Sequence, residues 1–213
     1  GERVAARVAS WNAAIRENNP KGVDAPFLSN HDMARSAGFL MSKLEKIKQA
    51  AALYLTMPGV PFVYYGEELG LSGSGRDENK RLPMLWSGNA ADNSLPPADA
   101  DTQQRQTLGV QEQEGDPDSI LSFYREVLAL RALCPELERG VPEQVLAEHR
   151  AVAAWRVTEG NSSVVVVHNL GNQPVTMPVP QGSLVGTWDT GSGRATIQDN
   201  QLVLPPQAGC ILR

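Results

Sequence analysis

Apolar residues recur along this chain with two different periods, and the change between them divides it. Val4, Val8, Trp11 and Ile15 fall at helical spacing before Asn18-Asn19-Pro20-Lys21-Gly22 breaks the pattern, which predicts an amphipathic helix over 3–17. The apolar segment Asp24-Ala25-Pro26-Phe27-Leu28-Ser29 then runs into the polar trio Asn30-His31-Asp32. It reads as a buried strand with chemistry at its C-terminal end. Ser42-Lys43-Leu44-Glu45 has capping-box spacing, and Leu44, Ile47, Ala51 and Tyr54 line one face of a second helix until Met57-Pro58-Gly59 stops it. Residues 60–65 are β-branched or aromatic in the main and close on Gly66-Glu67-Glu68, so they read as a second strand.

Both strand segments are apolar throughout rather than alternating, as in a parallel sheet covered by helices. Residues 71–115 are mostly polar, anchored by the island Leu82-Pro83-Met84-Leu85-Trp86; a loop this long in a compact domain is usually functional or mobile. Asp116, placed to cap, and Pro117 start another helix, with Ile120, Tyr124, Val127 and Leu128 as its buried stripe and Cys134-Pro135 as its end. From about residue 140 the period shortens. Segments 152–157, 163–168, 175–179, 184–188, 195–197, 202–204 and 210–212 are each bounded by Gly, Pro, Asn or Asp, which predicts a small antiparallel β-sandwich. The expected organisation is a β/α portion over 1–140 followed by an all-β domain over 141–213.

Composition narrows this picture. The 213 residues, 41% hydrophobic and 20% charged, lie in the ordinary globular range, while 19 Gly and 15 Pro demand many short connections. A closed eight-fold β/α barrel usually takes about 250 residues, so a complete barrel with an appended domain does not fit. A net charge of −5, with basic residues scattered, argues against nucleic acid as a partner. No apolar run approaches the length of a membrane span, so a soluble chain without a membrane partner is expected. The first residues, Gly1-Glu2-Arg3-Val4, have neither an initiator Met nor signal-peptide layout and look like a cut end; they leave localisation open. Cys134 and Cys210 are too few for a disulfide framework and read as buried thiols in preference to a bridge.

Asn30-His31-Asp32 is the richest candidate site, because β/α folds place their active sites at the C-terminal ends of parallel strands. A carboxylate beside a neutral imidazole offers the acceptors and donors that adjacent sugar hydroxyls need. The plainer alternative has Asp32 capping the next helix and His31 as a satisfied polar residue. Glu67 and Glu68 could suggest paired acid/base work, but successive residues at a strand end diverge, and a structural pairing with Arg81 or Arg35 is favoured. His149 and His168 are expected to be structural, with His168 in a valine run reading as a core histidine. Asn161-Ser162-Ser163 matches a glycosylation sequon and carries little weight.

Phe27-Leu28-Ser29-Asn30-His31-Asp32 resembles a signature of glycoside hydrolase family 13, the α-amylase family. The likeness continues through residues 57–70, similar to the family's last barrel strand, through 77–86 and the start of the final barrel helix, and into the all-β domain after the barrel. It implies an α/β plus all-β fold: the last two β/α units of a TIM-type barrel, incomplete here, followed by the sandwich. It also implies a retaining hydrolase that works through a covalent glycosyl-enzyme intermediate, with starch or malto-oligosaccharide as substrate. On that resemblance Asp32 is the third carboxylate, the transition-state stabiliser that grips the sugar hydroxyls, His31 is the histidine beside it, and Asn30 supports the pair.

The family's nucleophile and acid/base motifs have no match in this sequence. The chain is therefore expected to be the C-terminal part of a larger enzyme, inactive alone, with a strand edge open to self-association. Secretion or a periplasmic home for the parent is compatible with this. Family members often bind calcium, but nothing here matches a calcium-site motif, so no metal or other cofactor is assigned to this chain and calcium is left to the parent. The branches of the family, amylase, α-glucosidase and transglycosylase, are not separated by these residues. The competing expectation is a non-catalytic glucan- or partner-binding module, for which Trp155 and Trp188 are the only tryptophans in the β half, both favoured for the core.

Overall fold

The computed structural model describes residues 1–104 and 107–213. Its helices are α1 (Glu2–Asn18), α2 (Ser36–Phe39), α3 (Leu44–Leu55), α4 (Asp77–Lys80), α5 (Val110–Glu114), α6 (Ile120–Ala132) and α7 (Glu136–Arg139). The strands are β1 (Val141–Gln144), β2 (Val152–Glu159), β3 (Ser162–Asn169), β4 (Val175–Pro178), β5 (Leu184–Trp188), β6 (Thr196–Gln198), β7 (Gln201–Leu204) and β8 (Gly209–Leu212). The chain divides into two compact units. One holds Gly1–Pro26, Ala52–Pro61 and Val127–Arg213; the other holds Phe27–Ala51 and Phe62–Glu126.

The first unit carries two antiparallel sheets, ordered β1-β2-β3-β8-β5 and β4-β7-β6. Every strand expected after residue 140 is present. β1 is the addition, an edge strand with Pro142 opposite Val157 and too little apolar alternation to stand out in the sequence. Val152, Ala154, Val165, Val167, Cys210 and Leu212 of the larger sheet pack against Val175, Met177, Leu202 and Leu204 of the smaller one. The opposite face of the larger sheet is buried too, through Ala153, Trp155, Val157, Val164, Val166 and Ile211, with α1 against β1 and β2, and α7 against β2 and β3. Cover on both faces explains the unbroken valines of 164–167, since an antiparallel strand with one wet face would alternate. Each fully buried valine contributes roughly 1.5–3 kcal/mol.

His168 sits on that second face, fully buried between the rings of Trp155 (5.2 Å) and Trp188 (4.8 Å). Its Nε2 is 2.9 Å from Thr56 Oγ1, and the Thr56 hydroxyl donates to the Ala52 carbonyl at 2.7 Å. A hydroxyl has one hydrogen, so the imidazole is the donor in the first contact. Burial without a charged partner pushes its pKa down to about 3, and the ring is neutral at ordinary pH. The core role expected of His168, Trp155 and Trp188 is what the structure has. Cys134 and Cys210 are buried free thiols.

Several local expectations need correction. The buried face of α1 is Ala5, Val8 and Asn12, whereas Trp11 is 49% exposed and its indole N–H reaches Asp24 Oδ1 at 3.3 Å. No capping box starts α3: Ser42 is in the left-handed region at φ 51°, and the Lys43 carbonyl receives the first helical N–H groups. α6 is capped by Ser119, whose Oγ accepts the Ser122 N–H at 3.1 Å, with Asp116-Pro117 in the turn before it; Leu128 is exposed. The segments 24–29 and 60–65 run extended. They meet at Val60 N–H to Asp24 C=O, 2.8 Å, but neither forms a strand ladder among the described residues. A ladder needs a neighbour along its whole length, which apolar sequence alone does not provide.

Arg131 ties the first unit's turns together, donating to the carbonyls of Leu55, Met57, Gly59 and Leu137. Gly59 itself has φ +118°, and a Cβ there would lie 2.3 Å from the Asp24 carbonyl oxygen. Only glycine fits that crossing.

Candidate functional site

The second unit holds the polar trio. Leaving the extended segment at Ser29, the chain turns: Asn30 Oδ1 accepts the Asp32 N–H at 2.9 Å, and the Asn30 carbonyl accepts the Met33 N–H at 3.2 Å. This Asx turn uses the short amide of Asn30 to fix its own backbone. It presents His31 and Asp32 to solvent, with side chains 63% and 70% exposed and His31 Nε2 3.3 Å from Asp32 Oδ2. Asp32 caps nothing, because α2 begins after Arg35 and has no side-chain cap.

A cationic arm reaches the same turn. Arg81 Nη2 lies 3.4 Å from Asp32 Oδ1, Arg81 Nε donates to the His31 carbonyl at 3.3 Å, and Lys80 Nζ donates to the Asp32 carbonyl at 3.2 Å. Asp77, at the start of α4, holds both cations, at 3.0 Å for Lys80 and 3.3 Å for Arg81. The Lys80 hydrogen bond and charge, helped by Arg81, keep the Asp77 carboxyl below its usual range. Sequence reasoning did not place Lys80 or Asp77 at the site. Their i, i+3 and i, i+4 spacing in Asp77-Glu78-Asn79-Lys80-Arg81 was the available signal.

Beneath the turn lies a buried polar layer. Glu67, 2% exposed, accepts the hydroxyls of Ser29 and Ser36 (3.4 Å) on Oε1 and the Tyr64 N–H on Oε2 at 3.4 Å. Burial pushes its carboxyl pKa up, opposed by the Ser29 hydroxyl, the Tyr64 amide, the Ser36 hydroxyl and the positive charge of Arg35. Arg35 is fully buried; Nη1 donates to the Tyr65 carbonyl at 2.6 Å and Nε to the Lys80 carbonyl at 2.9 Å. Its guanidinium lies 4.5 Å from the Tyr64 ring and 4.7 Å from the Tyr65 ring, and burial draws its pKa down. The expected ion pairs of Glu67 and Glu68 with Arg81 or Arg35 are thus replaced by hydroxyl and amide donors on Glu67. Arg81 is at Asp32 instead, and Arg35 acts on Glu67 through its field.

The exposed pair can do what a sugar diol requires. A carboxylate accepts two hydroxyl protons side by side, and the adjacent imidazole and guanidinium supply donors. Among the described residues no group of three or more His, Cys, Asp or Glu could hold a metal ion. No helix among them is long and apolar enough to cross a membrane.

Comparison with known proteins gives two family models in series: "Alpha amylase, catalytic domain" over residues 3–140 and "Alpha-amylase SusG C-terminal domain" over 152–209. Alpha-amylase 3 of Dictyoglomus thermophilum is 34% identical over 164 residues, covering 72% of this chain and 31% of that protein. Alpha-amylase SusG of Bacteroides thetaiotaomicron is 36% identical over 166 residues, covering 74% and 24%. Relatives with other activities match as well, among them the 4-alpha-glucanotransferase of Thermotoga neapolitana at 32% identity over 68% of this chain and 34% of that protein. The solved structure of Eubacterium rectale Amy13B superposes with a TM-score of 0.91 at 29% identity, over 98% of this chain and 42% of that one. The chain spans about a quarter to two fifths of the length of these relatives.

Proposed function

The chain belongs to the α-amylase family, glycoside hydrolase family 13, and from that premise we propose that it supplies one wall of the sugar site in an enzyme cleaving α-glucosidic bonds of starch or malto-oligosaccharides. Asp32 is the substrate-gripping carboxylate, His31 its donor partner and Asn30 the residue that shapes their turn. The observation that carries this reading is the exposed His31–Asp32 pair, 3.3 Å apart on an Asx turn, while Glu67 beneath it is buried under hydroxyl donors and Asp77 is taken up by Lys80 and Arg81.

Asp32 breaks no bond in this scheme. Its two oxygens accept adjacent sugar hydroxyls while His31 donates to a sugar oxygen, and Arg81 holds the carboxylate in place. These contacts strengthen as the ring flattens toward an oxocarbenium-like transition state, so they act on turnover more than on ground-state binding. In this reading the nucleophile and the acid/base come from other segments of the parent, and the 213-residue chain alone is expected to release no reducing sugar.

The test is Asp32→Asn in the full-length protein that carries this chain. The substitution removes the charge at nearly constant volume, and turnover on maltoheptaose is expected to fall by about 100-fold or more at modest change in KM. Wild-type turnover would remove Asp32 from the site. The alternative of a glucan-binding β domain loses the two tryptophans that half of the chain could offer, since Trp155 and Trp188 are both fully buried.

A further inference from the structure

Glu67 is a buried carboxylate that the proposed chemistry does not use, and its partners are distributed in a telling way. Ser29 and Ser36 stand immediately before and after the segment 30–35 that carries His31 and Asp32, and both hydroxyls converge on one oxygen of Glu67. The other oxygen takes the Tyr64 N–H. One side chain therefore fastens both ends of the segment 30–35, which carries the Asn30–Asp32 turn, to the segment at Tyr64. Arg35, inside the stapled segment, fixes the second boundary by donating to the carbonyls of Tyr65 and Lys80, and Lys80 and Arg81 are the residues that touch Asp32 and His31 from outside.

We propose that Glu67 is a positioning residue for the sugar site: through the Ser29 and Ser36 hydroxyls it sets where the Asp32 carboxylate stands. This rests on the reading of Asp32 as the substrate-gripping group. An exposed turn held only by its own Asx contact would sample several orientations, and a displacement of about 1 Å can cost about 100-fold in rate. Fixing such a turn from a buried layer is the general requirement for a preorganised site. The hydroxyls and the Tyr64 amide together account for a carboxylate at this depth, because donors on each oxygen satisfy a group that would otherwise be costly to bury.

The experiment uses the full-length protein carrying Glu67→Gln, Glu67→Leu, Ser29→Ala, Asp32→Asn and the pair Glu67→Leu/Asp32→Asn, each assayed per mole of folded protein. Inhibition constants for a cationic, sugar-shaped transition-state analogue are measured alongside, since loss of folded molecules leaves a Ki unchanged while a misplaced Asp32 raises it. Glu67→Gln retains a carbonyl oxygen for the seryl hydroxyls, so it is expected to keep turnover within about threefold of wild type. Glu67→Leu and Ser29→Ala are expected to lose about tenfold to 100-fold in kcat, with the analogue's Ki rising in parallel. In the Asp32→Asn background, Glu67→Leu should cost less than about twofold more, because its effect passes through the missing carboxylate.

If Glu67→Leu fails to fold, Ser29→Ala and Glu67→Gln carry the test, the alanine expected to be impaired and the amide not. Unchanged Ki in a slow variant, wild-type kinetics in Ser29→Ala, or full additivity with Asp32→Asn overturns the positioning role. Wild-type kinetics in Asp32→Asn overturns the underlying site assignment instead, so the two failures are told apart.

Discussion

The two units of this chain are held in opposite ways. In the first, the five-stranded sheet is dry on both faces, its strands are paired residue by residue from Val152↔Asn169 to Glu159↔Ser162 in the central hairpin, and even its histidine is neutral and walled by tryptophans. In the second, the residues of interest sit on a short turn, exposed, linked by ion pairs of 3.0–3.4 Å, and steadied from below by Glu67 and Arg35. The difference separates stability from chemistry. Removing a core side chain should cost folding, whereas removing a site side chain should cost turnover, because the groups that meet a ligand must be left unsatisfied enough to accept it.

The sharpest way to break that contrast is Trp155→Ala. Trp155 is fully buried, so the loss is expected to be about 3–5 kcal/mol, read as a drop in the denaturant midpoint at constant slope. A drop below about 1 kcal/mol would mean that the second face of the sheet is not the core described here. Next comes Gly59→Ala. The φ of +118° imposes roughly 1–3 kcal/mol of strain on any side chain, and overlap with the Asp24 carbonyl adds to it, so thermal unfolding should move down by several degrees.

A smaller effect sharpens the comparison through pH. The unfolded His168 has the ordinary pKa of 6.5, and the folded ring is held at about 3. Between those values the unfolded chain binds the extra proton, so stability rises with pH across the window and falls on acidification, by up to about 1.4 kcal/mol per pH unit from this one group. Thr56, Trp155 and Trp188 around it do not titrate in that range. Urea titrations at pH 6.5 and 4.5 should therefore show a shallower acid loss in His168→Gln than in wild type, and parallel losses would deny the buried neutral state.

Much of the first unit was legible in the sequence, and the reason is local. Short β segments bounded by Gly and Asn declare themselves within a few residues, and the valine run before His168 marked that histidine as a core residue. β1 was hidden because Val141-Pro142-Glu143-Gln144 owes its strand to pairing with Val157 and Trp155 rather than to its own pattern. The apolar segments 24–29 and 60–65 show the converse, strand-like sequence that runs extended without a ladder. At the site, Asn30, His31 and Asp32 were found as a motif and are contiguous in space. The link from Ser29 and Ser36 to Glu67 was not legible, since a hydroxyl 31 or 38 residues from its acceptor leaves no trace in spacing. Caps failed for a related reason: Ser42 has the right neighbour at Glu45, yet its backbone is left-handed and the helix starts at the next carbonyl.

One measurement addresses the central claim most directly: turnover and thermal midpoint of Asp32→Asn, determined together in the full-length protein. Asp32 is 70% exposed, and surface substitutions of this kind usually change stability by no more than about 0.5 kcal/mol. The expected result is a midpoint within a degree or two of wild type and turnover on malto-oligosaccharide reduced by about 100-fold or more. Undiminished turnover with the same midpoint would contradict it.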